Sequence, residues 1–152
     1  MSRPQISRRF VAAARALAPR PTRYASGGPY EDVIGYSRVV KVRGMAWTAG
    51  TTAVVDGDLQ GLDSPETQAG VALQQAVEAL WRAGFRREYI VQSRMYVVDL
   101  ARNADAVGRA HFHVLGDVRP AATMIGVSAL VDPRMLVEVE LVAANPNLGT
   151  GA

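Results

Sequence analysis

Residues 119–144 read RPAATMIGVSALVDPRMLVEVELVAA, and how this stretch folds decides the architecture of the whole chain. It reads as two β-strands joined by a tight turn at Asp132-Pro133, since β-branched and apolar residues flank a pair that favours chain reversal. Alternate side chains of a strand share a face. Glu138 and Glu140 therefore point one way, and Val137, Val139 and Leu141 the other. Two acids on one face of an apolar strand require either solvent or a pocket that uses them.

Neither face of the first strand is wettable. Ala121, Thr123, Ile125, Val127 and Ala129 form one set; Ala122, Met124, Gly126, Ser128 and Leu130 form the other. Upstream lie a helix from about Asn103 to Leu115, stopped by Gly116, and a strand over Tyr89–Val98. Before them comes the most strongly marked helix. Asp63 or Ser64 caps it, Pro65 sits where a missing N–H costs nothing, and Glu66 meets the positive end of the dipole. Ala69, Ala72, Leu73, Ala76, Val77, Leu80 and Trp81 form its apolar stripe, and Gly84 ends it. Earlier still, Tyr36–Val42 and Met45–Gly50 form a hairpin turning at Arg43-Gly44. Thr51–Leu62 reads as a loop with a turn at Asp56-Gly57-Asp58. The order β-β-α-β-α-β-β gives an α+β sheet with two helices on one face. Its second apolar face must then be hidden against another copy of the chain, which predicts a homo-oligomer.

Composition limits the rest. The 152 residues suit one domain, and 49% hydrophobic with 20% charged residues is ordinary globular usage. No apolar run approaches the ~20 residues of a membrane helix. With no cysteine, thiolate nucleophiles and cysteine metal ligands are excluded, and a reducing, cytoplasmic setting is expected. The formal charge of +3 is uneven. Six arginines and no acid fall in residues 1–23; from Tyr24 onward 11 basic residues face 14 acidic ones, a net of −3. A mildly acidic domain argues against nucleic-acid binding through clustered cations. The chain divides into an Arg/Ala-rich extension (1–23), one domain (24–145) and a flexible tail (146–152). In the extension Phe10, Ala14 and Leu17 recur at helical spacing. A transit peptide has this composition, and Ser7-Arg8-Arg9-Phe10 is faintly similar to a twin-arginine export signal, but Arg15 breaks the apolar stretch such a signal needs; an extension packed on the domain or a partner is therefore expected.

Several residues are candidates for chemistry. Glu138 could orient water or shuttle a proton in a pocket where burial raises its pKa; on the residues alone, pairing of Glu138 and Glu140 with arginines across an oligomer interface is the somewhat favoured reading. Arg94 shares a strand face with Gln92 and Tyr96, and an arginine inside a central strand needs a partner or a ligand carboxylate. His111 and His113 diverge by about 200° around their helix, so they cannot share a metal. His111 reads as a core or interface histidine. No nucleophile elbow or Gly-rich phosphate loop is present, so no cofactor and no metal are expected. The loop Ser26-Gly27-Gly28-Pro29-Tyr30 either presents the Tyr30 hydroxyl to a pocket or simply leads into the hairpin.

Taken together, SGGPYEDVIGYSRVVKV, WTAGTT, YVVDL and above all RPAATMIGVSALVDPRMLVEVELVA resemble the RidA/YjgF family, also labelled L-PSP endoribonucleases, over about Ser26 to Ala144. The resemblance implies a chorismate-mutase-like α+β fold, a homotrimer with its sheets facing a central barrel, and small-molecule clefts between subunits. It implies cofactor-free hydrolysis of imines and enamines such as 2-aminoacrylate to a keto acid and ammonia. Tyr30 then matches the family's Gly-Pro-Tyr loop and Glu138 its water-positioning acid. Ala122, Thr123, Met124, Arg94, Tyr96 and Gly50 are the expected substrate-binding positions, Arg94 and Tyr96 from their shared strand face. Two positions depart from the pattern. The arginine that clamps substrate carboxylate is Ala122 here, and the serine before Gly50 is Ala49. Loss of that clamp removes roughly 1.5–3 kcal/mol, about tenfold to a hundredfold in binding. The ligand therefore either lacks the carboxylate or meets another cation, with Arg94 the nearest in the sequence. A non-catalytic metabolite-binding or chaperone-like trimer and a dedicated step of specialised metabolism are the alternatives. Ribonuclease activity is the weakest reading for an acidic domain.

Overall fold

The computed structural model describes residues 19–28 and 30–148. Its main sheet holds β1 (Thr22–Tyr24), β2 (Val39–Val42), β3 (Met45–Thr48), β6 (Ile90–Val98), β7 (Ala121–Val127) and β8 (Val137–Ala144). The spatial order is β1-β2-β3-β8-β6-β7. Two helices, α1 (Pro65–Arg82) and α2 (Leu100–Leu115), cover one face. A two-stranded ribbon, β4 (Val54–Val55) and β5 (Asp58–Leu59), sits apart. The expected amphipathic segment at Phe10, Ala14 and Leu17 lies outside the described residues.

The stretch 119–144 forms both expected strands, but they are not partners. β6 lies between them, antiparallel to β8 and parallel to β7. The expected hairpin is therefore corrected: residues 128–136 cross over the end of β6, while the turn at Asp132-Pro133 is present within them, the Met135 N–H on the Asp132 carbonyl at 3.0 Å. Hydrophobic strands joined by nine residues can reach past a neighbour, and pairing both edges of β6 buries more backbone than one hairpin would. Gln68 of α1 holds this crossover. Its side chain, inaccessible to solvent, donates to the Gly61 and Arg134 carbonyls at 3.2 and 3.0 Å and accepts the Leu136 N–H at 2.7 Å.

Local signals account for α1. Ser64 accepts the Thr67 N–H and Pro65 opens the first turn. At the other end the Gly84 N–H reaches the Trp81 carbonyl and the Phe85 N–H the Leu80 carbonyl, a Schellman closure that needs the positive φ of Gly84. Phe85 and Leu80, both buried, supply its hydrophobic contact. Trp81 corrects the expected stripe: it lies at the outer rim and is 67% exposed. α2 begins three residues before the expected Asn103, because Asp99 enters it in a left-handed conformation with no side-chain cap to mark the start. Asn103 instead donates to the Val98 carbonyl at 2.8 Å, tying helix to strand. The Asp56-Gly57 turn is present, with positive φ at both residues, and it carries the small ribbon that was read as loop.

The core lies between helices and sheet. Val137, Val139, Leu141 and Ala143 of β8 alternate into it, as do Met95 and Val97 of β6, against Ala69, Leu73, Ala76 and Leu80 of α1 and Val107 and Leu115 of α2. The opposite face carries no helix among the described residues. On it lie Val40, Met45, Trp47 and Val142 at one end, and Arg94, Tyr96, Glu138 and Glu140 at the other, all half-buried or exposed. No helix among the described residues is long and apolar enough to cross a membrane.

Candidate functional site

Regular pairing of β3 with β8 stops at Trp47·Val142 and resumes at Thr51·Val139. Four steps along one strand meet three along the other, so one extra residue is accommodated at Ala49–Gly50. The Thr48 hydroxyl fills the gap in the ladder by accepting the Leu141 N–H at 2.9 Å. Such bulges re-aim neighbouring side chains. Here the affected neighbour is Glu138. Its carboxyl lies so close over Gly50 that a Cβ there would sit 2.8 Å from its Cδ and nearer still to Oε1. Gly50 is thus the floor beneath the candidate acid.

Glu138 is half-buried. Burial raises its pKa, the neighbouring Glu140 raises it further, and Arg38 pulls it down. Glu140 is engaged elsewhere: Arg94 pairs with it at 3.5 Å, and the Tyr96 hydroxyl donates to it at 3.1 Å. Burial, then this bond to Glu140, pushes the Tyr96 phenol up. Arg94, Tyr96, Glu138 and Glu140 therefore form one polar stripe on the uncovered face, with Thr123 beside Arg94 in register on β7.

Ala122 and Met124 lie elsewhere. Both point to the helix side of β7, the strand at the sheet edge. Met124 packs against the core cluster, its Cε near Gly108 of α2, so its side chain is structural in the single chain. Ala122 is exposed, opposite Ser93 of β6. Fully buried Ser93 bonds the His111 imidazole Nε2 at 2.9 Å, and burial lowers the His111 pKa. His111 is thus packed onto the sheet, away from the carboxylate stripe. Tyr30 is half exposed, at the mouth of a π-helical turn over Glu31–Gly35.

Reading the sequence missed Arg38 and Glu31. Arg38 Nη1 donates to the Gly50 carbonyl at 2.7 Å and to the Thr51 hydroxyl at 3.1 Å. Its one sequence signal is an arginine opening an apolar strand, which by itself also fits a solvated charge. Glu31 follows Tyr30 directly, and its burial shows only once the turn is formed.

Among the described residues no group of three or more acids or histidines could hold a metal. Two surface grooves among the described residues lie away from Glu138. One runs between α1 and α2, lined by Trp81, Arg87 and His113; the other lies between α2 and β7, lined by Arg109, Phe112 and Met124. Among the described residues of one chain the Glu138 stripe is an open surface. It offers a carboxyl able to exchange protons, a tyrosine hydroxyl and a bulged backbone.

A family profile described as endoribonuclease L-PSP matches residues 30–145. An uncharacterised protein of Streptomyces coelicolor is 38% identical over 121 residues, covering 80% of this chain and 90% of its own. A solved member of the YjgF/YER057c/UK114 family from Mycobacterium tuberculosis is 35% identical with a TM-score of 0.72, covering 83% of this chain and all of its own. A Rid-family protein of unknown function from Yersinia pestis is 26% identical with a TM-score of 0.67, covering 82% of this chain and 95% of its own.

Proposed function

The chain belongs to the endoribonuclease L-PSP family, which groups it with the YjgF/Rid proteins, and from that membership we propose that it hydrolyses a small reactive imine or enamine without a cofactor, in a cleft completed by a second copy of the chain within a homotrimer. One observation carries this reading. Glu138 is half-buried over Gly50, with burial and Glu140 raising its pKa, on a sheet face that no helix among the described residues covers. A carboxyl raised in this way exchanges protons nearer neutral pH than an exposed one does.

The ionised carboxylate takes a proton from water as the water oxygen attacks the iminium carbon, giving a neutral carbinolamine. Glu138, now protonated, returns that proton to the amine nitrogen. The C–N bond then breaks toward nitrogen, the hydroxyl proton leaves to the carboxylate or solvent, and the products are ammonia and the carbonyl compound. Tyr30 shapes the mouth of the cleft, and backbone groups near Ala122–Thr123 meet the far end of the substrate. With Ala122 supplying no cation and Arg94 engaged by Glu140, a substrate without a carboxylate is favoured.

The test follows ammonia release from freshly generated 2-aminoacrylate and, in parallel, from an uncharged imine of similar size. Acceleration of at least one is expected, with Glu138→Ala losing about a hundredfold or more of it. No acceleration of either, or equal acceleration by Glu138→Ala, rejects the reading. The substitution of alanine for the clamp arginine at 122 favours one further reading, a metabolite-binding trimer without turnover. Thermal stabilisation by a ligand with no ammonia released would select it.

A further inference from the structure

Tyr30 and Glu138, far apart in the chain, are joined by side chains that the proposed chemistry leaves unused. Glu31, next to Tyr30, is 6% exposed. Its carboxylate accepts the Ser26 N–H at 3.0 Å, the Ser26 hydroxyl at 2.6 Å and the Gly27 N–H at 3.3 Å. Burial alone would raise its pKa, but these bonds and the Arg38 charge outweigh burial and hold it below the usual glutamate range. Arg38 Nε lies 3.7 Å from this anion. The same guanidinium grips Gly50 and Thr51 through Nη1 and donates to the Tyr36 hydroxyl at 3.2 Å through Nη2. Thr51 in turn exchanges both backbone bonds with Val139, adjacent to Glu138. A planar fork can fix several acceptors at once in a way that a lysine ammonium cannot.

We propose that Arg38 is a positioning residue: anchored by Glu31, it pins the Gly50–Thr51 bed on which the Glu138 carboxyl rests, so that the Tyr30 turn and the Glu138 strand are held as one unit. The reaction that this unit serves rests on the imine-hydrolysis reading; the contacts hold whatever the substrate. The charged and titratable groups around Glu138 are Glu140 on its own strand, Tyr96 and Arg94 on β6, and Arg38. Arg94 is spent on Glu140. Among the described residues, Arg38 is therefore the cation that opposes Glu140 and burial at Glu138.

The experiment titrates the Glu138 side-chain carboxyl by carbon NMR in the full-length protein, Arg38→Met and Arg38→Lys, and measures amide exchange at Thr51 and Val139. In Arg38→Met the Glu138 midpoint moves up and Thr51 exchange quickens about tenfold, the worth of one lost charge-assisted bond. In Arg38→Lys the midpoint stays nearer the unsubstituted value, because the charge remains, while exchange is still fast because the fork is gone. An unchanged midpoint in Arg38→Met overturns the proposal. So does Thr51 exchange as slow as in the unsubstituted protein in Arg38→Lys, which decides the matter if Arg38→Met does not fold. Failure to release ammonia would sink the reading of the reaction without moving either readout.

Discussion

Gly50 carries no side chain, and that lets the Glu138 carboxyl lie against the bulged backbone. Gly50→Ala forces the carboxyl away, an overpacking that costs about 1–3 kcal/mol. In a Glu138→Ala background most of that cost disappears, a coupling that urea denaturation of the four proteins measures. Costs that simply add would place the strain elsewhere. Glu31 makes a pH-dependent contribution. Because its pKa is lowered in the folded chain, its stabilisation is complete above the ordinary glutamate range and drains away as pH falls through the folded value. Glu31→Gln is therefore less stable than the unsubstituted protein at neutral pH, and the gap closes on acidification. Denaturation midpoints at a series of pH values check it; a constant gap contradicts it. At this scale the face of Glu138 was legible from its alternation with Val137 and Val139, and Arg94 has the acid partner that one of its two readings expected. Arg38 was not legible, because the acceptors that give it a role lie on a bulge and a π-helical turn that no local pattern announces.

Among the elements, α1 and the 128–136 crossover depend on one side chain. Gln68 satisfies three backbone groups from inside the core, so Gln68→Leu leaves those groups without partners. At about 1–3 kcal/mol for a buried group left unpaired, a loss of at least ~2 kcal/mol is expected in urea denaturation. A change under half that would mean the crossover holds itself. The helices were legible because a cap, a proline, an apolar stripe and a terminal glycine agree over Ser64–Gly84. Strand existence was legible too, from alternation at β6 and β8. Strand partnership was not: alternation fixes which face a residue occupies but not which neighbour its backbone bonds. Hence β7 and β8 read as one hairpin although β6 divides them.

For the molecule as a whole, the sheet face that no described helix covers is the surface on which the proposed cleft forms. Trp47, 41% exposed, and its partner Val142 lie on it, beside Val40 and Met45. Apolar area of this kind gains about 25 cal/mol per Å² when hidden, which favours association of copies over exposure. Val142→Glu puts a charge in the middle of that patch without touching the helix-covered core. It is expected to dissociate the protein while leaving its far-ultraviolet circular dichroism unchanged; an assembly that survives the charge would place the contact elsewhere. The most direct test is sedimentation equilibrium of the unsubstituted protein at micromolar concentration. Three times the mass of one chain is expected; a single-chain mass, with the Glu138 face open to water, would rule out a cleft shared between copies.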